Sequence, residues 1–195
     1  MSSLDIKKAE FSNSHEITKL HKKVIPLGLL SMLDEPFSEW VYQEILKNDT
    51  AFGFAVSDNQ KLIGFVIATE NSTNVFRSLL KNPIKLFYLL TRQLMKKPNL
   101  IFKLVDSVFY ENSSQTKEPT LLSIAIDTDY QGQGIGSELI KSIRLEFKNR
   151  GVKRYRVEVH QANLQANKFY QKQGMIQGEQ IKLYGYEWNI YYDKI

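Results

Sequence analysis

Asp127-Thr128-Asp129-Tyr130-Gln131-Gly132-Gln133-Gly134-Ile135-Gly136-Ser137-Glu138 lies between two stretches of different hydrophobic period. Before it, Leu121-Leu122-Ser123-Ile124-Ala125-Ile126 is a short apolar run with β-branched residues, which predicts a buried strand. After it, Ile135, Leu139, Ile140, Ile143 and Phe147 recur at helical spacing, with Lys141, Arg144 and Lys148 between them. Arg150 and Gly151 then put a cation in the last turn and a glycine just beyond it, as at a helix end. The three glycines therefore form a strand-to-helix turn. At such a turn the first N–H groups of the helix lack partners and the helix dipole is positive. Glycines keep side chains off those N–H groups. The guest that suits them is a phosphate or pyrophosphate.

An ordinary glycine-rich turn would look similar, and two sharper nucleotide patterns compete with it. A P-loop needs Gly-Lys-Ser/Thr after the glycines, and none follows. A dinucleotide fingerprint comes closer. Gly132-x-Gly134 opens a helix, and Glu158 follows on a strand at roughly the 20-residue spacing that a ribose ligand needs. But 37 residues remain after Glu158, too few for the rest of a doubly wound sheet. The third glycine also sits one place early, with Ser137 in its slot.

The spacing Gln131-x-x-Gly134-x-Gly136 instead resembles the pyrophosphate loop of the GNAT superfamily of acetyl-CoA-dependent N-acetyltransferases. Downstream stand Val157-Glu158-Val159, Asn163-x-x-Ala166, Phe169-Tyr170 and Gly174, in the order and spacing of the second half of the GNAT signature. The resemblance covers residues 119 to 176 well and the N-terminal third in outline.

Composition narrows the chemistry. The 195 residues suffice for one domain, 1–195, with a real core. There is no cysteine, hence no disulfide framework, thiol nucleophile or cysteine-ligated metal site. Acyl transfer here must avoid a cysteinyl intermediate, and no metal is expected. Residues 1 to 8 carry no apolar signal core, and no apolar run approaches the ~20 residues of a membrane span. The expectation is a cytoplasmic protein. The net charge of +5 suits an anionic ligand such as CoA, and equally a nucleic acid or an anionic membrane surface. A nucleic-acid partner is disfavoured, because the basic residues lack interleaved aromatic platforms.

In chain order, Leu4 to Glu10 reads as a weak first strand. A helix capped near Ser12, Asn13 or Ser14 runs through Ile17, Leu20 and Val24 and ends near Pro26. Gly28 to Asp34 is an apolar loop or short helix. Pro36 opens an amphipathic helix through Trp40, Val41 and Ile45. Ala51 to Ser57 and Lys61 to Thr69 form a hairpin around Asp58-Asn59-Gln60.

Residues 72–118 exceed the compact family pattern, which joins the third and fourth strands by a short turn. Asn82-Pro83 begins a helix running to about Lys97, and a second, more apolar helix is expected from Leu100 to Phe109. Glu111 to Glu118 reads as a loop. Lys85, Tyr88, Arg92 and Lys96 are assigned to one face of the first helix, and Leu86, Phe87, Leu90 and Leu94 to the opposite one. From Val75 to Val105 there are seven basic residues and no acidic one. A solvated helical pair, a lid over the acceptor site, a homodimer contact, and a basic surface for phosphate groups or peripheral membrane contact through 75–105 all fit.

The GNAT resemblance implies an α+β fold: a mixed, mainly antiparallel sheet flanked by helices, here with a helical insertion between the third and fourth strands. It implies acetyl-CoA as co-substrate. Main chain at Ile124, Ala125 and Ile126 would take the pantetheine arm much as an added strand would. Gln131, Gly132, Gln133, Gly134, Ile135, Gly136 and Ser137 would take the pyrophosphate. Asn163 would stand beside the CoA arm as well as capping its own helix.

Within the strand 155–160, Arg154, Arg156, Glu158 and His160 share one face, and Tyr155, Val157 and Val159 the other. Glu158 stands 12 residues before Tyr170, as the acidic residue does in enzymes that look like bacterial ribosomal-protein alanine acetyltransferases. A carboxylate there can take the proton of an ammonium acceptor, directly or through water. His160 is the competing base, otherwise a surface histidine. Tyr170 would give its phenolic proton, pKa ~10, to the departing thiolate. The expected reaction is direct attack of an amine on acetyl-CoA in a ternary complex. The small-molecule acceptor suggested by the basic insertion is a phosphate-bearing amino sugar. A protein N-terminus, or a non-catalytic CoA-binding regulatory module, is the alternative.

Overall fold

The computed structural model describes residues 5–98, 118–183 and 185–195. Its strands are β1 (Asp5–Lys8), β2 (Ala51–Asp58), β3 (Lys61–Thr69), β4 (Thr120–Ile126), β5 (Arg154–His160), β6 (Ile176–Leu183) and β7 (Tyr186–Lys194). Its helices are α1 (Ser14–Val24), α2 (Leu29–Met32), α3 (Glu35–Leu46), α4 (Ser72–Leu80), α5 (Pro83–Lys96), α6 (Ile135–Asn149) and α7 (Leu164–Lys172). The strands form one sheet in the order β1-β2-β3-β4-β5-β7-β6. Every neighbouring pair is antiparallel except β4–β5.

Local chemistry sets these elements. Asn59 and Gln60 both take positive φ, 47° and 68°, which gives the β2–β3 hairpin a turn twisted to suit its strands. Asp34 caps α3 through the Phe37 amide at 3.2 Å, with Pro36 in the first turn. Asn82 caps α5 through the Lys85 amide at 3.1 Å, with Pro83 opening the helix.

The sheet is covered on both faces. Ile63 and Val66 of β3 meet Leu139, Ile143 and Phe147 of α6 and Tyr170 of α7. Phe65 and Ile67 point the other way, against Ile17 of α1 and Phe37, Trp40 and Tyr42 of α3. A strand buried on both faces explains why 61–69 reads as an unbroken apolar run rather than an alternation.

Two local expectations change. The insertion holds a helix that the sequence reading missed, α4, which starts well before Asn82. Phe87 does not join the leucines of α5. It is 69% exposed, whereas Leu89 and Gln93 are the buried positions. The expected helix 100–109 and most of the loop 111–118 fall outside the described residues.

Candidate active site

β4 and β5 begin as parallel neighbours and then part. The ladder between them has two rungs, Thr120 with Arg156 and Leu121 with Val157, joined by the Arg156 amide donating to the Pro119 carbonyl at 2.9 Å. On its other edge β4 stays paired with β3 as far as Ile126. The edge of Ile124, Ala125 and Ile126 that faces β5 therefore opens into a gap, opposite Glu158, Val159 and His160. Backbone N–H and C=O groups along such a gap are obligatory hydrogen-bonding groups, and the Ile126 carbonyl already has a partner in the Gln131 side chain.

At the far end of β4 the chain enters the glycine turn. Asp127 is nearly fully buried and receives the Lys23 ammonium at 2.7 Å and that of Lys61 at 3.6 Å. The hydrogen bond from Lys23 holds the Asp127 carboxyl below the usual carboxylate range. Gly134 is the residue before α6, left-handed at φ 85°. The amides of Ser137 and Glu138 turn back onto its carbonyl at 3.0 and 3.2 Å. The amides just before them belong to the first turn of α6, where N–H groups have no partner within the helix. Gly136 is glycine for another reason: a Cβ there would lie 3.2 Å from the Phe169 ring, which would have to give by a few tenths of an ångström. A Cβ on Gly132 or Gly134 would point into open space, so the mouth of the turn is open to a guest, and a helix N-terminus suits an anionic one.

Side chains tie the turn to α7. Gln131 donates to the Ile126 carbonyl at 3.0 Å and accepts from Gln165 at 3.0 Å. Gln173 donates to Ser137 Oγ at 2.9 Å. Asn163 caps α7, its Oδ1 accepting from the Ala166 amide at 3.0 Å.

One cavity of about 1490 Å³ runs along the gap and the turn. Every residue expected at the site lines it except Gln133, whose side chain lies over the Asp129 carbonyl. Glu158 lines it from β5 and pairs at 3.0 Å with Arg156, which is 2% exposed. Arg156 was expected on the same strand face, but not buried. A guanidinium so enclosed is tolerated because it is paired, and it fixes the direction of the carboxylate.

His160 is not a surface histidine. Its ring packs between Tyr186 and Trp188, 5.1 and 5.2 Å between centroids. Its Nδ1 accepts from the Ala162 amide at 3.1 Å, so the ring hydrogen sits on the buried Nε2. In that form His160 has no lone pair to offer the cavity, which leaves Glu158 as the better-placed base. Tyr170, 4% exposed, stacks on Tyr191 at 6.0 Å. Burial pushes its phenol above the ordinary value, so it stays protonated at working pH and can donate.

Sequence reasoning also missed a buried polar cluster at the cavity wall. His21 Nε2 donates to Ser31 Oγ at 2.9 Å, because the Ser31 hydroxyl is already given to the Ile25 carbonyl at 2.6 Å. Nδ1 lies 2.6 Å from Tyr42 Oη and 3.3 Å from Ser123 Oγ of β4, and Tyr42 Oη donates to Ser123 Oγ at 3.1 Å. Burial depresses the His21 pKa to about 4. The available signal was a histidine four residues after Ile17 on the apolar stripe of α1.

The chain belongs to the acetyltransferase (GNAT) family, whose model matches residues 25–175. Acetyl-CoA is the co-substrate of that family. Among curated proteins, the [ribosomal protein bS18]-alanine N-acetyltransferase of Escherichia coli is 40% identical over 57 residues. That match takes in 29% of this chain and 38% of the relative, well under half its length. Among solved structures, the ribosomal-protein-S18-alanine N-acetyltransferase from Escherichia coli has a TM-score of 0.62 at 18% identity, over 98% of this chain and 93% of that one. Arabidopsis thaliana NAA60 in complex with acetyl-CoA has a TM-score of 0.63 at 14% identity, over 99% of both chains. At such identities the likeness concerns the fold. Among the described residues no group of histidines and acids is arranged to hold a metal ion, and no helix is long and apolar enough to cross a membrane.

Proposed function

We propose that this protein transfers the acetyl group of acetyl-CoA to an amine by direct attack in a ternary complex. The observation that carries this reading is the two-rung β4–β5 ladder opening onto the glycine turn, with Glu158 and Tyr170 lining the same cavity. Strand edges at Ile124 to Ile126 would hold the pantetheine arm, and the amides of the turn the pyrophosphate. When bound, the thioester supplies an activated acyl carbon. Glu158 takes a proton from the ammonium, directly or through water, and thereby frees a lone pair for attack. A C–N bond forms and the C–S bond breaks. Tyr170 gives its proton to the departing sulfur, and the second proton that the nitrogen sheds as the amide forms restores the phenol.

The acceptor end of the cavity is apolar. Leu30, Leu33, Phe37 and Val41 line it from the N-terminal half, and Leu86 and Leu90 from α5. Such walls favour an amine borne on an apolar group. The phosphate-bearing amino sugar would depend on Arg77, which also lines the cavity, because Arg92 and Lys96 are turned onto Asp34 at 3.1 Å each. A protein N-terminus is the second reading, favoured by the local sequence match to an alanine N-acetyltransferase.

The test is an acceptor panel of alkylamines, polyamines, amino sugars with and without phosphate, and peptides with free N-termini, read by mass spectrometry. Acetylation that rises with the apolar content of the acceptor supports the reading. Turnover confined to phosphorylated sugars would overturn the apolar assignment. Tight acetyl-CoA binding without turnover on any amine would leave a regulatory module.

A further inference from the structure

The outer face of α5 is used by nothing in the site. Ile84, Phe87, Tyr88 and Met95 form one stripe along the helix and are 83, 69, 60 and 87% exposed. Leu80, at the end of α4, is 65% exposed and precedes them. Single exposed apolar side chains are ordinary, but a contiguous row on one helix marks a contact surface. Cations flank the row. Lys85, Arg92 and Lys96 recur at helical spacing beside it, Lys85 over the Trp40 ring at 5.5 Å, and Lys81 and Lys97 extend the group, with Arg77 on its cavity side. Between Ser72 and Lys97 there are six basic residues and no acidic one. Asp34 supplies the counter-charge to Arg92 and Lys96, one carboxylate against two cations.

A second copy of the chain fits this face poorly. In a two-fold dimer the patch would meet itself, six cations against six. An anionic bilayer fits both components. Lysine and arginine stems can lie along apolar surface with their heads at the phosphates, and a tyrosine suits the headgroup level. A basic helix with an apolar row lies in the plane of such a surface. We propose that the outer face of α4 and α5 docks on anionic phospholipid, with Phe87 and Met95 inserted and the flanking lysines at the headgroups. The inner face of α5 still lines the acceptor cavity through Leu86 and Leu90, so docking would bring that cavity to the membrane surface. Docking does not depend on turnover, and the two can fail separately.

The test uses the full chain and large vesicles of phosphatidylcholine, with or without phosphatidylglycerol. The expected result is flotation with the anionic vesicles only, weakened by salt. Lys81→Glu with Lys85→Glu should reduce partitioning by about twentyfold or more, since each cation near an anionic surface contributes a factor of about five. Phe87→Ser with Met95→Ser should reduce it by on the order of tenfold. Lys81, Phe87 and Met95 are exposed and Lys85 gives up only its contact 5.5 Å over the Trp40 ring, so the thermal melt should shift little. A Phe87→Trp variant should show a blue-shifted emission on anionic vesicles. Absence of binding to either vesicle, or equal binding to both with no response to the lysine reversals, overturns the proposal. So does a solution dimer that dissociates in the Phe87→Ser/Met95→Ser variant, or capture by an acidic protein that vesicles do not compete away.

Discussion

At the scale of single residues, Glu158 and Tyr170 have separable proton roles. Glu158→Gln should depress kcat/KM most at low pH, where deprotonated amine is scarce, and raising the pH should partly restore it. A wild-type pH profile in that variant would remove Glu158 as the base. Tyr170→Phe should lose rate across the whole range, by about 10²-fold, the scale of general acid catalysis. The ring and its stacking on Tyr191 remain, so acetyl-CoA affinity, read by calorimetry, should barely move. Full activity in that variant would mean the thiolate leaves unaided. Glu158 and Tyr170 were picked out by their 12-residue spacing, which resembles that of the GNAT signature, and both line the cavity. The burial of Arg156 and the tautomer of His160 were not legible in the sequence, because each depends on residues far away in the chain.

Among the elements, the glycine turn and α6 form the unit on which donor binding depends. Gly134→Leu would put a side chain on a left-handed residue and at the mouth of the turn. Gly151 is the matching control, also left-handed at φ 76° with open space around it, but at the far end of α6. Both leucine variants should lose ~1–2 kcal/mol of stability from backbone strain. Only Gly134→Leu should lose acetyl-CoA affinity, by at least about tenfold, or ~1.4 kcal/mol. Equal affinities in the two variants would detach the turn from the donor. The turn, α6, β5 and α7 follow from local signals: glycine spacing, helical period and caps at short range. α4 was missed because Asn71 makes no side-chain cap and the helix carries no acidic residue in its first turn. The exposure of Phe87 was missed because a hydrophobic stripe does not say which of its edges meets the protein.

Across the whole molecule, acid should be a stress. Burial lowers the folded pKa of His21 to about 4 from its ordinary value of 6.5. Above pH 6.5 it is neutral in both states and costs nothing. As the pH falls from 6.5 towards 4 the unfolded chain takes up a proton that the folded one refuses. Stability should drop by about 3 kcal/mol over that window. Asp127 acts in the same direction. Its carboxyl, held low by Lys23, loses its stabilising charge only on further acidification. Denaturant titrations at pH 7, 5.5 and 4 would measure the slope. His21→Asn should flatten the part between pH 6.5 and 4, and an unchanged slope would exclude His21 as its source.

The two-rung ladder between β4 and β5 makes the sheet a pair of half-sheets, β1-β2-β3-β4 and β5-β7-β6, held by a short seam. A ligand lying in the open part of that seam would be structural as well as chemical, a removable strand that stitches the halves together. Amide hydrogen exchange should report this directly. Protection at Ile124 to Ile126 and at Glu158 to His160 should rise together when acetyl-CoA is added, and fall together when it is withdrawn. Between turnovers the enzyme would then be a sheet with one seam partly unsewn, and each new donor would close it again.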